Sequence, residues 1–399
     1  MMRTGIIRVG VATTIVPKLR TVKGKVVRRP AKHFCKMAEY SQDLNVQFFI
    51  FDPHNINWNN GYITGFGPVD PLRAFGPWEQ RQFPLPHVIY ENVFVHLAVK
   101  GYARDMRTRA ARVGIPVFNG PLLNKHQMAQ WLSGTELAQY IPTSFRLDRV
   151  NAGMDKIQKW GAVFLKPIGG YGGMGVTRIE RIGADRFHLS LDRQHGGQRE
   201  RRLLTARQLE NILRVRRSVP HILQRAIPLL ELEGRKVDFR VVVHRGSTGD
   251  WKVIGIVPKV AARDGVVTNL VAGGERWSLA RCQELAEREG RPLPVRELET
   301  AALRIARKIS SRAPRVGLIG FDLGLDVNGR VWMIEANPKP ARSLLTDQMR
   351  ESAARETVGY AVFLARSSKA RRKLVRGSSL TQSQIQPSNE GNPTYNDVI

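Results

Sequence analysis

The sequence predicts an α/β protein with a largely parallel sheet near its N-terminus, two or three packed subdomains and a polar C-terminal tail. Three observations carry this reading. Short apolar runs alternate with helical stretches over the first 120 or so residues, as strand–helix–strand units do. The chain has 399 residues, more than one ordinary core accommodates, and its 42% hydrophobic content is enough for globular packing. After Ala365 the composition becomes basic and then polar, with too few aliphatic residues to offset the entropy of ordering.

No apolar run is long enough to span a bilayer, and the start has no charged, apolar and small-residue cleavage pattern, so an intracellular protein is expected. Cys35 and Cys282 stand far apart, which fits a reducing compartment and argues against a disulfide framework or zinc site. A net charge of +29 attracts nucleic acid, other polyanions, anionic surfaces and nucleotide phosphates alike, so it restricts partners without naming one. Much of it lies on arginine-rich helical stretches, Arg199 to Arg217 and Arg296 to Arg312, with no zinc-finger spacing and no aromatic RNA-binding signature.

GIIRVGVAT, VQFFIFDP, HVIYENVF and GIPVFNG read as the N-terminal strands, and the stretches around His33 to Tyr40 and His96 to Val113 as helices. The Trp- and Pro-rich link from Asn55 to Pro86 reads as a surface-wrapping loop. Asn124 to Tyr140 is a helical stretch capped by Asn124 and striped by Leu132 and Leu137. Lys125 stands in its first turn, where a cation is unfavourable against the helix dipole unless an anion lies near.

AVFLKPIGGYGGMGVTRIERI is a strand ending at Lys166-Pro167, a loop containing Gly169, Gly170, Gly172, Gly173 and Gly175, and a second strand. Glycines let backbone N–H groups approach phosphate oxygens, and Lys166 adds a point charge. A dinucleotide fingerprint needs a helix straight after such a loop. The alternating VTRIERI that follows predicts a flap instead.

Thr205 and Gln208 form a capping box for the helix to Arg217, striped by Leu209, Ile212 and Leu213. Strands follow around Gln224 and through VDFRVVV, where Asp238 and Arg240 share one face. VIGIVPKV carries Lys259, and VVTNLVAGGE carries Asn269. A helix from Val295 to Ser311, striped by Leu298, Ala302, Ile305 and Ile309, leads to GLIGFDLGLDVNGRVWMIEANPKP. That stretch reads as a hairpin turning at Asn328-Gly329. It folds Asp322 back beside Glu335, with Asn337 of the same parity. Two carboxylates and an amide oxygen on one face suit Mg²⁺, which shares its shell with phosphates. Taken alone, such a pattern is a surface hairpin with solvated acids.

This order of motifs, a helix-start lysine, LKP before a glycine loop, LQRAI, DFR, TNL with GG, and FD with EAN, resembles the ATP-grasp superfamily. FPLPHVIYENV, VDFRVVV, GIVPKV and TNL-AGG are similar to its YheC/YheD branch, whose members are endospore coat-associated. The resemblance covers Phe83 to Ala365. It implies an ATP-grasp domain of two α+β subdomains clasping ATP over residues 121–365, preceded by an N-terminal α/β domain over 1–120, while composition marks 366–399 as a disordered tail.

By motif position, Lys125 and Lys166 would contact phosphates and Gly169, Gly170, Gly172, Gly173 and Gly175 would cover them. Gln224, Arg225, Ala226 and Ile227 would hold adenine and Glu231 the ribose. Arg240, Lys259 and Asn269 would face the reacting phosphate and substrate, and Asp322, Glu335 and Asn337 would bind Mg²⁺ or Mn²⁺. The implied reaction phosphorylates a carboxylate and joins it to an amine through an acyl phosphate. Two departures concern the acceptor: Asn337-Pro338-Lys339-Pro340 replaces the small residue, Pro and Gly of peptide-forming relatives, and Gln224 stands where many have a carboxylate. The leading expectation is therefore a cytoplasmic ATP- and Mg²⁺-dependent ligase with unidentified carboxylate and amine substrates. A coat-associated scaffold that binds ATP without turnover is the second, and a polyanion-binding protein the third.

Overall fold

The computed structural model describes residues 5–15, 17–22, 25–93, 101–169, 174–192 and 200–381. The N-terminal unit contains β1 (Ile7–Ala12), β2 (Lys18–Val22), β3 (Lys25–Arg29), α1 (Lys32–Gln42), β4 (Val46–Phe51), β5 (Ile56–Asn57), β6 (Tyr62–Pro68), β7 (Trp78–Pro84), β8 (Val88–Glu91), α2 (Tyr102–Arg112) and β9 (Val117–Phe118). Strands β4, β1, β8 and β9 pair in parallel, as expected where apolar runs are buried on both faces. Phe49, Phe51, Phe83 and Ile89 pack with Ala103, Met106 and Ala110 of α2. Val9, Phe48, Ile50 and Tyr90 on the other face pack with α1.

The stretch from Asn55 to Pro86 differs from the loop its Trp and Pro content suggested. It supplies β5, β6 and β7, which extend the sheet in antiparallel fashion beyond β4. Alternation is visible there only after pairing: along β7 just Trp78 and Phe83 are buried, with exposed polar residues among those between them.

After α3 (Lys125–Ser133), whose Met128, Ala129 and Leu132 join the core of Leu298 and Ile305, the second unit runs through β10 (Ser144–Arg146), α4 (Val150–Trp160), β11 (Ala162–Pro167), β12 (Thr177–Arg181), β13 (Arg186–Leu191), β14 (Glu200–Thr205), α5 (Ala206–Arg216) and β15 (His221–Arg225). Its antiparallel sheet, ordered β10-β15-β11-β12-β13-β14, packs one face on α4 and α5. Both expected caps are present: Asn124 accepts from Gln127 N, and Thr205 from Gln208 N, each returned by the glutamine side chain. Strand β12 follows the glycine loop directly and pairs with β11, so the loop tops a hairpin.

The third unit contains β16 (Glu231–Leu232), β17 (Arg235–Arg245), β18 (Trp251–Val260), β19 (Glu275–Arg276), α6 (Leu279–Arg288), α7 (Val295–Arg312), β20 (Leu318–Leu325), β21 (Val331–Asn337) and α8 (Asp347–Thr381). The order β19-β18-β17-β20-β21 puts β17 at the centre. Val237, Phe239, Val241 and Val243 point to a core shared with Leu298, Ala302, Ile305 and Ile309 of α7. A period of two then turns Asp238 and Arg240 to the opposite face.

The hairpin turn is longer than Asn328-Gly329. Asp326 N donates to Arg330 O, so Val327, Asn328 and Gly329 form a three-residue loop. Gly329 takes a left-handed φ of 78°, and the Asp326 carboxylate accepts from Asn328 N and Arg330 N. Helix α8 continues past Ala365, where the tail was expected to start, to Thr381; residues 382–399 lie outside the described residues. Its first half carries Ala354, Val358, Tyr360 and Ala361 into the N-terminal core. That segment therefore packs with the first sheet as well as with the third, where Met349 meets Val242 and Leu318 and Thr357 meets His244.

Candidate active site

Four charged side chains interlock on the face of the third sheet away from α7. Strand register sets them opposite one another: Arg240 faces Asp322 across β17 and β20, and Asp238 faces Lys259 across β17 and β18. Arg240 donates to both oxygens of Asp322, Nε at 2.6 Å and Nη2 at 3.1 Å. The Lys259 ammonium lies 3.0 Å from Asp238 and 3.1 Å from Asp322. Thr268, just before Asn269, donates its hydroxyl to the second Asp238 oxygen. All four charged residues are at least nine-tenths buried.

Burial and pairing oppose each other here. Desolvation pushes Asp322 up, but Lys259 and Arg240 outweigh it and hold the carboxyl well below the ordinary range. Burial pushes Asp238 up, with Lys259 opposing and Asp322 adding, so its carboxyl is raised. Burial disfavours the Lys259 charge, yet Asp238 and Asp322 hold its pKa above the usual value. One guanidinium nitrogen of Arg240, Nη1, is buried without a partner. A buried donor left unsatisfied is costly, so Nη1 is a candidate contact for an incoming oxygen.

A second group of residues borders this ladder. The hairpin brings Glu335 directly opposite Asp322, with a bulge between Asp322 and Leu323 that fixes the pairing. Glu335 meets Lys125 at 3.3 Å, so the anion that the helix-start lysine calls for is a residue of β21. Asn337 ends β21, and its side-chain oxygen accepts from Lys339 N at 2.8 Å. Lys166 ends β11 and donates to Gln224 Oε1 at 2.6 Å. Withdrawal from water, and then the charge of Lys125, lowers the Lys166 pKa to about 8.

Several expected residues sit at the edges. Gly169 and Gly175 flank the glycine loop, and Gly175 has a left-handed φ of 73°; Gly170, Gly172 and Gly173 lie outside the described residues. Arg225 and Ala226 have their N–H groups taken by Thr143 O and Ala162 O. Ile227 follows at the crossing between the second and third sheets, and Glu231 is exposed on β16. The Asn269 carbonyl accepts from Ala272 N and Gly274 N, shaping the loop before β19.

Sequence reasoning missed three residues that set this arrangement. Asp192 follows β13 and accepts from Val266 N at 2.7 Å and Val267 N at 2.9 Å, tying the second sheet to the loop of Thr268. Asn119, buried after β9, accepts from Gly317 N and Leu318 N at 3.1 and 2.8 Å. It adopts a left-handed φ of 64°, a region that Asn tolerates better than most residues. Asp238 was seen on the Arg240 face, but its cross-strand partner depended on register.

Among the described residues no helix is long and apolar enough to cross a membrane. The endospore coat-associated protein YheD of Bacillus subtilis (strain 168) is 26% identical over 327 residues, covering 78% of this chain and 68% of the relative. YheC of the same organism, also named endospore coat-associated, is 19% identical over 337 residues, covering 78% and 85%. A solved D-alanyl-alanine synthetase A from Vibrio cholerae aligns over 92% of this chain and 99% of its own at 11% identity, with a TM-score of 0.48. The family described as YheC/D like ATP-grasp matches residues 114–364, well over half of the chain. With the lysine-bordered glycine hairpin and the charged face of the third sheet within that span, this chain belongs to the YheC/D-like ATP-grasp family.

Proposed function

We propose that the protein is an ATP- and Mg²⁺-dependent ligase that activates a carboxylate and joins it to an amine. The observation that carries this reading is the buried ladder Lys259–Asp322–Arg240 with Nη1 of Arg240 unpartnered, flanked by Lys166 and Lys125. Four cations facing three carboxylates leave the site a phosphate-attracting charge balance. In the proposed reaction a carboxylate oxygen of the substrate takes the γ-phosphoryl group and ADP leaves. The amine nitrogen then attacks the acyl carbon, an amide forms, phosphate departs and the nitrogen loses a proton. Such chemistry needs placement and charge neutralisation more than a protein nucleophile.

Arg240 has the planar fork for a transferring phosphoryl oxygen, and Lys259, which shares Asp322 with it, and Asn269 would face the substrate. Lys166, Lys125 and the glycine loop would hold phosphates, the segment Gln224 to Ile227 the base, and Glu231 the ribose. With Ala226 N–H already bonded to Ala162 O, adenine contacts fall to the remaining groups of that segment. Asp322, Glu335 and Asn337 fit Mg²⁺ by donor type, being all hard oxygens. When bound, Mg²⁺ would neutralise phosphate charge.

A cytoplasmic location with association to a spore coat is proposed from the two cysteines and the relatives' names. The test is ADP release by the purified protein with Mg²⁺-ATP against pooled carboxylates and amines. The parent should release ADP only with both pools, and Arg240→Lys should lose about tenfold to hundredfold, the scale of one charge-assisted contact. A parent that binds ATP yet releases no ADP across both pools overturns the ligase in favour of a nucleotide-binding coat protein.

A further inference from the structure

A partly open recess lies between the end of β8 and the chain leaving β21. It adjoins the charged ladder through Pro340. A methyl group placed on Gly320 would fall 2.6 Å from Pro340 Cβ and 3.1 Å from Arg240 Cδ, and Pro340 also lines the recess.

Among the described residues three cations line this space and no Asp or Glu does. Two of the three are neutralised from outside it. Lys339 meets Glu91 at 3.1 Å and donates to Val93 O at 2.7 Å, and Arg350 meets Asp347 at 2.9 Å. Arg342 has no carboxylate partner among the described residues. Its Nη2 donates to Asn92 Oδ1 at 3.2 Å, beside the Tyr90 hydroxyl. Asn92 is only 3% exposed, and its Nδ2 has no partner. His33 Nε2, also facing the recess, is likewise buried without one. Burial and then the Arg342 charge lower the His33 pKa to about 2, so the ring is neutral at physiological pH. The space open to water centres is about 30 Å³, roughly two water positions. A carboxylate pairs with a guanidinium fork through two oxygens on one carbon, which suits so small a recess.

We propose that this recess is a carboxylate-binding subsite, with Arg342 supplying the charge and Asn92 Nδ2 and His33 Nε2 the remaining donors, and that it anchors a non-reacting carboxylate of the acceptor substrate. The substrate role rests on the ligase reading above; the binding of a carboxylate does not. A guanidinium half-buried with only neutral partners is an incomplete ion pair, and two further buried donors without partners belong to residues that line the same small space.

Acetate is the probe, titrated into the full chain without nucleotide at constant ionic strength and followed by saturation transfer to its methyl protons. Saturable binding is expected in the parent, with little from acetamide. Arg342→Gln should weaken it at least about tenfold. Asn92→Asp, which places a carboxylate beside Arg342, should weaken it similarly and raise the unfolding temperature. That second variant keeps the test decisive if Arg342→Gln folds poorly. No acetate binding to the parent, or equal affinity in parent and Asn92→Asp, overturns the subsite. Acetamide binding as well as acetate overturns the role of charge, and phosphate displacing acetate at lower concentration overturns the carboxylate assignment. The Mg²⁺-ATP thermal shift of the same preparation reads the nucleotide site separately, so a shift without acetate binding removes the recess alone. Acetate binding without ADP release removes the substrate role.

Discussion

Asp322→Asn separates two jobs that one carboxylate performs. The change keeps the side-chain volume and removes the negative charge shared by Arg240 and Lys259. Lys259 retains Asp238 at 3.0 Å, whereas Arg240 makes no other ion pair among the described residues. Breaking a buried pair by removing one partner costs about 3–5 kcal/mol, and the surviving Lys259–Asp238 contact puts this case near the lower end, about 3 kcal/mol. The nucleotide-free variant should therefore unfold at lower urea than the parent, followed by tryptophan fluorescence at pH 7. The pH dependence has a definite sign. Asp322 titrates lower in the folded protein than the ~3.9 of an unfolded aspartate, so its stabilisation is present above that value and fades as pH falls toward the folded pKa. The gap between parent and variant should narrow with acid from pH 4 downward. An apo loss under about 1 kcal/mol, or a gap that widens with acid, would refute the argument. Read from sequence as a metal ligand alone, Asp322 gave no reason to expect any apo loss.

Two other outcomes are expected. Lys166 loses its proton near pH 8 in the free protein, and phosphate contact needs it charged; the Kd for Mg²⁺-ATP should rise between pH 7 and 9.5 by calorimetry, and Lys166→Gln should flatten that rise. Asp192→Ala should speed amide exchange at 264–268 about tenfold or more, because two N–H groups lose their shared acceptor; unchanged exchange by mass spectrometry would dismiss the clasp.

Most of the site was legible because period-two alternation and hairpin geometry are local. Asp322 beside Glu335, Arg240 on the Asp238 face and the Asn124 cap all follow from residues close in sequence or from strand parity. What stayed hidden depends on pairing between distant strands. No local pattern places Lys259 between Asp238 and Asp322, because that requires the order β18-β17-β20. The Asn55 to Pro86 stretch concealed three strands because its Trp, Pro and Gly residues mask the alternation. Helix α8 runs past the boundary expected at Ala365; basic composition there signals solvent exposure, while Ala354, Val358 and Tyr360 have partners as far back as Phe118, Tyr90 and Val9.

The docking of α8 and the bonds of Asn119 have a mechanical consequence. Together they weld the first and third sheets into one stator, since α8 leaves the third sheet only to anchor in the N-terminal core and Asn119 bridges the same seam at β20. The second sheet is the separately attached layer. It is joined to that body by two chain crossings, Ile141 to Thr143 and Ala226 to Leu230, and latched by Asp192 and by Arg201 at Asp264 O. Any clamping on a nucleotide would bend both crossings together, and the recess at Arg342 is lined by no residue of the second sheet among those described. A carboxylate held there would not have to move with that sheet.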